Sequence, residues 1–335
     1  MRTLKRLLAL CLCPHLVVSC KTASNTSAVL SDTVEASSTT LEFTGVGDLP
    51  ISYRIFTKPN ARGKMVILSG YRETYLYYDE LISDFLSHGY SVYIMDNRGM
   101  GESGRPLANK QIVHVEKISD YVDDAEQFVD QIVKPNQSEH VFLFAHSTGG
   151  LIGAELLARR PDMFTAAVLS SPLLQLNTGL VPSSLLFSTV SSAVVLGLGQ
   201  HYGPTYKDYQ PSADTFSSCT TTHSEDEFAA GRQIRADHPE ILQGGPSNLW
   251  IKLVLAETTH VAEFAPKVTT PVLLTQAGED KFVMPRGQEK FCQLAANCQL
   301  MKFAGAYHEI FRETDDIKTP MMEAVFAHFA NFDSP

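Results

Sequence analysis

The sequence predicts an α/β fold: a mostly parallel sheet flanked by helices, with an inserted helical lid. Three observations lead to it. Strand-like and helix-like segments alternate over residues 41–172 and again over 266–335. The strand-like segments are continuous apolar runs, the pattern of strands covered on both faces. Parallel neighbours need crossovers, and the intervening helical segments supply them. A chain of 335 residues is long enough for one large core that carries an insertion.

LEFTGVGDLPISYRIFTKP (41–59) reads as two opening strands around a Gly-rich turn. KMVILSG (64–70) is a short apolar strand ending in glycine. In TYLYYDELISDFLSHGY (74–90), Leu76, Leu81, Phe85 and Leu86 can share one helical side, and Gly89 stops the helix. YSVYIMD (90–96) is a strand that runs into the Gly-rich loop NRGMGESGR (97–105). ISDYVDDAEQFVDQIV (118–133) carries Ile118, Tyr121, Ala125, Phe128, Val129 and Ile132 at helical spacing, and Pro135 ends it. HVFLFA (140–145) is a strand, GGLIGAELLARR (149–160) a helix, and MFTAAVLSSP (163–172) contains another strand. Farther on, PVLLTQA (271–277) and CQLMKFAG (298–305) read as strands, with RGQEKFCQLAA (286–296) and MMEAVFAHFANF (321–332) as helices.

The alternation breaks over residues 173–265, the predicted lid. Leu173 to Gln200 contains no Asp, Glu, Lys or Arg. Pro182 and the serines argue against a membrane span. One reading is a helix buried against the core; another is a segment that lines an acyl-chain channel or meets a membrane surface. The two are compatible. SNLWIKLVLAETTHVAEFA (247–265) is a second helical segment, with Trp250, Val254 and Val261 at helical offsets and Ser247 as its cap.

Lys and Arg number 27 against 37 Asp and Glu, a formal net charge of −10 that argues against a nucleic-acid partner. At the N-terminus, Arg2, Lys5 and Arg6 precede LLALCLCPHLVV, an apolar stretch too short for a confident membrane span. It ends in VVSC. This resembles a bacterial lipoprotein signal, with an ordinary export signal as the alternative. The resemblance implies removal of residues 1–19, lipid on Cys20 and a membrane surface as partner. Because Lys21 follows the cysteine, it also implies the outer membrane of a bacterial envelope. Residues 20–40 are small and polar, a flexible tether between anchor and body. Besides Cys20, Cys219, Cys292 and Cys298 would remain in the mature chain. Cys292 and Cys298 are close enough to close a small disulfide loop; unpaired thiols are the alternative. No spacing suggests a metal site.

Chemistry concentrates on VFLFAHSTGG (141–150), where Ser147 sits between an apolar strand and a helix. A nucleophile elbow reads G-x-S-x-G, and here Ala145 takes the place of the first glycine. A serine capping the next helix would look similar. A serine nucleophile needs a base to take its proton and an acid to orient that base. GEDKF offers Glu279 and Asp280 after strand 271–277; GAYHEIF offers His308 after strand 298–305. The order Ser, Asp, His suits this topology, and all three fall just past carboxyl ends of strands. Asp280 is preferred to Glu279 as the shorter side chain in a tight loop. Acyl transfer also needs two donors for the developing oxyanion. The backbone N–H of Thr148 is one, and that of Tyr71, in the loop after strand 64–70, is the other. Arg72 either holds that loop by an ion pair or contacts a polar head group. His146 reads as structural, or as shaping the elbow, and Glu309 as a support for His308 or a surface carboxylate. No cofactor is required.

LSGYRETYLYY (68–78), MDNRGMGESGR (95–105), FAHSTGG (144–150), GGPSNLW (244–250), AGEDKFV (277–283) and GAYHEIFRE (305–313) then carry a resemblance. The chain resembles the serine-hydrolase branch of the α/β-hydrolase fold, and within it the lysophospholipase L2 and monoacylglycerol lipase group. The resemblance spans residues 41–332. It implies Ser147 as nucleophile, Asp280 as acid, His308 as base, and Tyr71 and Thr148 as oxyanion donors. It implies a long-chain acyl ester lipid as substrate, with the insertion helping to form the acyl pocket. Ser69-Gly70-Tyr71-Arg72 departs from the HG opening of monoacylglycerol lipases and favours the lysophospholipase side. A general carboxylesterase, an acyltransferase and a non-catalytic lipid-binding envelope protein are the alternatives.

Overall fold

The continuous apolar runs become the centre of a nine-stranded sheet. The computed structural model describes residues 35–36 (backbone only), 40–133 and 140–332. The strands are β1 (Glu35–Ala36), β2 (Leu41–Thr44), β3 (Pro50–Thr57), β4 (Gly63–Leu68), β5 (Tyr90–Met95), β6 (Ile112–Val113), β7 (Val141–His146), β8 (Ala166–Ser170), β9 (Gly245–Pro246), β10 (Val272–Ala277) and β11 (Cys298–Phe303). The main sheet runs β1-β3-β5-β4-β7-β8-β10-β11, with β2 beside β3. From β5 to β11 every pairing is parallel, while β1, β2 and β3 form an antiparallel edge. The small strands β6 and β9 pair separately.

The helices are α1 (Asp79–Ser87), α2 (Ile118–Phe128), α3 (Ser147–Arg159), α4 (Ser183–Val195), α5 (Glu225–Asp237), α6 (Asn248–Glu257), α7 (Val261–Phe264), α8 (Pro285–Leu294) and α9 (Asp315–Ala330). Two cores form, one on each face of the sheet. Alternate residues of β7 serve them: Leu143 and Ala145 face the cluster built with α2, α3 and α8, while Phe142 and Phe144 face the one built with α1 and α9. Each large apolar side chain buried this way contributes about 1.5–3 kcal/mol. The chain passes from β4 outward to β5 and then back across to β7. That reversal leaves a crevice beyond the carboxyl ends of β4 and β7, where open sheets of this kind bind ligands.

Several boundaries differ from the sequence expectation for definable reasons. The segment 74–90 splits into a 3₁₀ turn, Tyr75–Tyr78, and α1. α2 continues as a π-helical turn over Val129–Val133. α9 starts at Asp315, ahead of Pro320, because the Thr314 carbonyl already accepts the Ile317 and Lys318 N–H groups. Proline then costs one helical hydrogen bond, which the buried Met321, Met322, Val325 and Phe329 offset. The insertion departs most. α6 is capped by Ser247, whose Oγ accepts the Trp250 N–H at 3.1 Å, but the predicted helix breaks before α7. α4 buries only Val190, so the expectation of a buried helix in the uncharged stretch is corrected. Among the described residues no helix is long and apolar enough to cross a membrane.

Candidate active site

β7 passes directly into α3 at Ser147, so the turn is tight and Ser147 has φ 53°. A non-glycine residue in the left-handed region is strained, and such strain collects at functional sites. Close approach explains the neighbouring glycine: a Cβ on Gly149 would lie 2.2 Å from the Leu68 carbonyl oxygen. Ala145, the departure from the elbow pattern, is fully buried, and its methyl fits because Gly153 faces it. A Cβ at Gly153 would come within 3.0 Å of that methyl.

Ser147, His308 and Asp280 are 161 and 28 residues apart along the chain yet form one hydrogen-bonded line. His308 Nε2 lies 2.8 Å from Ser147 Oγ, and His308 Nδ1 lies 2.6 Å from Asp280 Oδ2. The other Asp280 oxygen accepts the Phe282 and Val283 N–H groups at 2.7 and 3.0 Å. Burial pushes the Asp280 pKa up, but His308 and those two N–H groups outweigh it and hold the carboxyl below its ordinary 3.8. An ionised Asp280 places the imidazole proton on Nδ1 and leaves Nε2 to accept the Ser147 hydroxyl proton. Glu279, the other carboxylate of the loop, is exposed.

The loop after β4 separates its donors. Gly70 N donates to Glu73 Oε2 at 2.5 Å, and Arg72 N donates to Met100 Sδ at 3.2 Å. Between them, the Tyr71 N–H makes no hydrogen bond among the described residues. Thr148 N lies in the first turn of α3, where N–H groups lack intrahelical partners. Both sequence-chosen donors therefore sit at backbone positions with free capacity.

Sequence reasoning missed Glu73. It is buried, accepts from Gly70 N and from Tyr78 Oη, and lies 3.3 Å from His146 Nε2. His146 Nδ1 lies 3.1 Å from the Ser170 carbonyl oxygen, so each ring nitrogen has an oxygen nearby, Nε2 by charge contact with Glu73 and Nδ1 at hydrogen-bond distance. Burial alone would lower the His146 pKa; the Glu73 charge overrules it and lifts the value above 6.5. Burial likewise raises Glu73, and His146 brings it below 4.5. This pair ties the loop carrying Tyr71 to the elbow carrying Ser147, and the His146 ring stands 4.9 Å from that of His308. In sequence, Glu73 follows Tyr71-Arg72 in an ordinary polar loop; only the fold delivers it to His146. Glu309 is buried and bonded to Arg312 Nη1 at 2.7 Å, which removes the surface alternative. Arg98 is a scaffold residue, paired with Asp124 at 2.6 Å.

The site opens into a cavity of about 670 Å³. Leu173, Leu176, Val181, Leu186 and Ile251 supply an apolar wall, and Tyr209, Thr222 and Arg235 a polar one. Away from the triad, Cys292 and Cys298 are joined as a disulfide with Cα atoms 5.1 Å apart, and Cys219 has no disulfide partner among the described residues. Cys20 and the signal segment 1–19 lie outside the described residues. One grouping that no sequence spacing revealed is Glu102, His238 and Glu240, whose ligand-type atoms lie within 4.8 Å of one another. Its members are already engaged: Glu102 accepts from Thr40 and Tyr75, and His238 Nδ1 is 3.0 Å from Glu240.

Fold and site together define a serine hydrolase of the α/β-hydrolase fold, with Ser, Asp and His in that chain order on three strand-end loops. The chain belongs to the Hydrolase_4 family, described as serine aminopeptidase, S33, whose model matches residues 59–315. It is 31% identical over 307 residues to lysophospholipase L2 of Escherichia coli (strain K12), with 88% of each chain covered. It is 25% identical over 276 residues to a monoacylglycerol lipase of Mycolicibacterium smegmatis, covering 82% of this chain and 91% of that one. In fold it is similar to a soluble variant of monoglyceride lipase from Saccharomyces cerevisiae, with a TM-score of 0.68, 19% identity and 92% and 97% coverage.

Proposed function

We propose that the protein hydrolyses the ester of a single-acyl-chain lipid, a lysophospholipid or a monoacylglycerol, through an acyl-enzyme intermediate. The observation that carries this reading is the Ser147–His308–Asp280 line opening onto a cavity with one apolar wall. His308 takes the Ser147 proton as Oγ attacks the ester carbonyl. Asp280 orients the imidazole and stabilises its charged form. The Tyr71 and Thr148 N–H groups receive the oxyanion. His308 then protonates the departing glycerol oxygen, and water activated by the same histidine releases the fatty acid. The names of the relatives support the substrate class.

The resemblance of residues 1–20 to a lipoprotein signal supports a second element of the reading: lipid on Cys20 tethers the enzyme to the outer membrane of a bacterial envelope, beside its substrate. Labelled palmitate is then expected in wild type and absent from Cys20→Ala; no label in wild type rejects the anchor. For the activity, a fluorophosphonate probe should label wild type and not Ser147→Ala. A panel of lysophosphatidylcholine, lysophosphatidylethanolamine, monoolein and short p-nitrophenyl esters should show turnover of the long-chain substrates. Turnover confined to acetyl and butyryl esters would sink the lipid reading.

A further inference from the structure

We propose that Arg72 is a specificity-determining residue that binds the head-group phosphate of a lysophospholipid beside the ester under attack. The inference rests on the ester-hydrolase reading above and narrows its substrate to phosphate-bearing lipids over neutral monoacylglycerols.

The first argument is the charge balance of the cavity. Apart from the triad, its charged lining residues are Arg72, Glu73, Asp214, Arg235, Glu309 and Arg312. Glu73 faces His146 at 3.3 Å, Asp214 meets Arg235 at 3.0 Å, and Glu309 meets Arg312 at 2.7 Å. The Arg72 guanidinium alone among them has no ion pair or hydrogen bond to any described residue. Of the two roles the sequence left open for Arg72, the ion pair holding the loop is therefore not made. What remains is a solvent-accessible cation at the cavity of a chain whose formal net charge is −10.

The second argument is the backbone. Arg72 has φ 60°, a conformation that glycine adopts without strain and arginine does not. Its N–H is held by Met100 Sδ, an interaction any residue there could make. Glycine would satisfy this backbone; arginine adds only an unpaired guanidinium. Residues strained without local benefit mark binding and switch sites.

The third argument is position. Arg72 directly follows Tyr71, whose N–H would hold the ester oxygen, so an exposed cation at the cavity stands one residue from the reacting group. A phosphodiester offers it acceptor oxygens, and a guanidinium matches phosphate in charge and planar geometry. The glycerol hydroxyls of a monoacylglycerol bring no charge to meet Arg72.

The test compares wild type, Arg72→Gln and Arg72→Lys on lysophosphatidylglycerol and monoolein at fixed detergent. In Arg72→Gln the ratio of kcat/KM for lysophosphatidylglycerol over monoolein is expected to fall about tenfold or more, chiefly through KM. Arg72→Lys should recover part of the ratio. In wild type the same ratio should fall as NaCl rises, because an exposed charge contact is screened. An unchanged ratio in Arg72→Gln overturns the proposal. If that variant fails to fold, the salt series decides, and a ratio indifferent to salt overturns it. A wild type that cleaves p-nitrophenyl butyrate but neither lipid rejects the lipid reading itself, an outcome distinct from both.

Discussion

Helices α4 and α6 pack against each other and are both rich in apolar residues, yet they have opposite relations to solvent. α6 buries Trp250, Ile251, Val254 and Leu255 in the core shared with α2 and α3, and the Trp250 Nε1–H reaches Tyr121 Oη at 3.2 Å. α4 buries Val190 and leaves Leu185, Phe187 and Val195 exposed, continued by Leu180 on one side and Leu196 on the other. The difference lies in spacing and not in apolar content. The α6 residues fall on one stripe, one helical turn apart. On α4, serines and threonine are scattered among the apolar residues, and Ser188, Thr189 and Ser192 turn their hydroxyls back onto carbonyls four residues earlier. Such bonds satisfy polar side chains without a tertiary partner. A helix of that kind has no face that must be buried, and its inner side, with Leu186, is left to line the cavity.

The contrast extends to the cavity, which Ile251 on buried α6 and Leu186 on exposed α4 both line. Substitutions sharpen or break that contrast. The largest effect is expected at Ser147→Ala or His308→Ala, with kcat falling about 10³-fold or more and circular dichroism unchanged; residual turnover near the wild-type value would break the assignment. Next is Glu73→Ala, which strands a buried His146 and should cost about 3–5 kcal/mol in urea unfolding. A cost below 1 kcal/mol, on the order of a surface pair, would show that the loop is not tied to the elbow.

The same pair predicts a pH signature. His146, raised in the fold, contributes fully below its ordinary 6.5 and loses that contribution as pH rises through its folded value. Glu73, lowered in the fold, contributes fully above its ordinary 4.5 and loses it as pH falls through its folded value. The stability difference between wild type and Glu73→Gln should therefore be greatest between about pH 4.5 and 6.5 and shrink on both sides; a difference flat from pH 4 to 9 contradicts the ion pair. Trp250→Ala, on the buried helix, should cost about 3–5 kcal/mol. The smallest effect is expected on its neighbour: Leu196→Ser should change stability by no more than about 0.5 kcal/mol. Equal losses at Trp250 and Leu196 would erase the distinction between the two helices.

Much of this was legible in the chain. The parallel sheet could be read because its central strands are mostly apolar runs, although the edge strand β11 carries the exposed Gln299 and Lys302; Ser147, Asp280 and His308 could be read because each lies in the segment that follows a strand. Tyr71 and Thr148 could be chosen by their place beside a strand end and a helix start. Less legible was anything set by contact between distant segments. Glu73 looked like a loop residue, the role of Arg72 stayed open between two readings, and α4 looked fit for burial.

The order of residues by itself determined the α/β alternation, the insertion and the three strand-end positions that carry the chemistry, because periodicity and turn residues are local properties written along the chain. Tertiary structure alone decided that His146 carries a buried carboxylate partner while Arg72 meets none among the described residues, and that α6 is covered while α4 is not. Pairing of charge and exclusion of water depend on which surfaces meet, and no single stretch of sequence contains both sides of a contact.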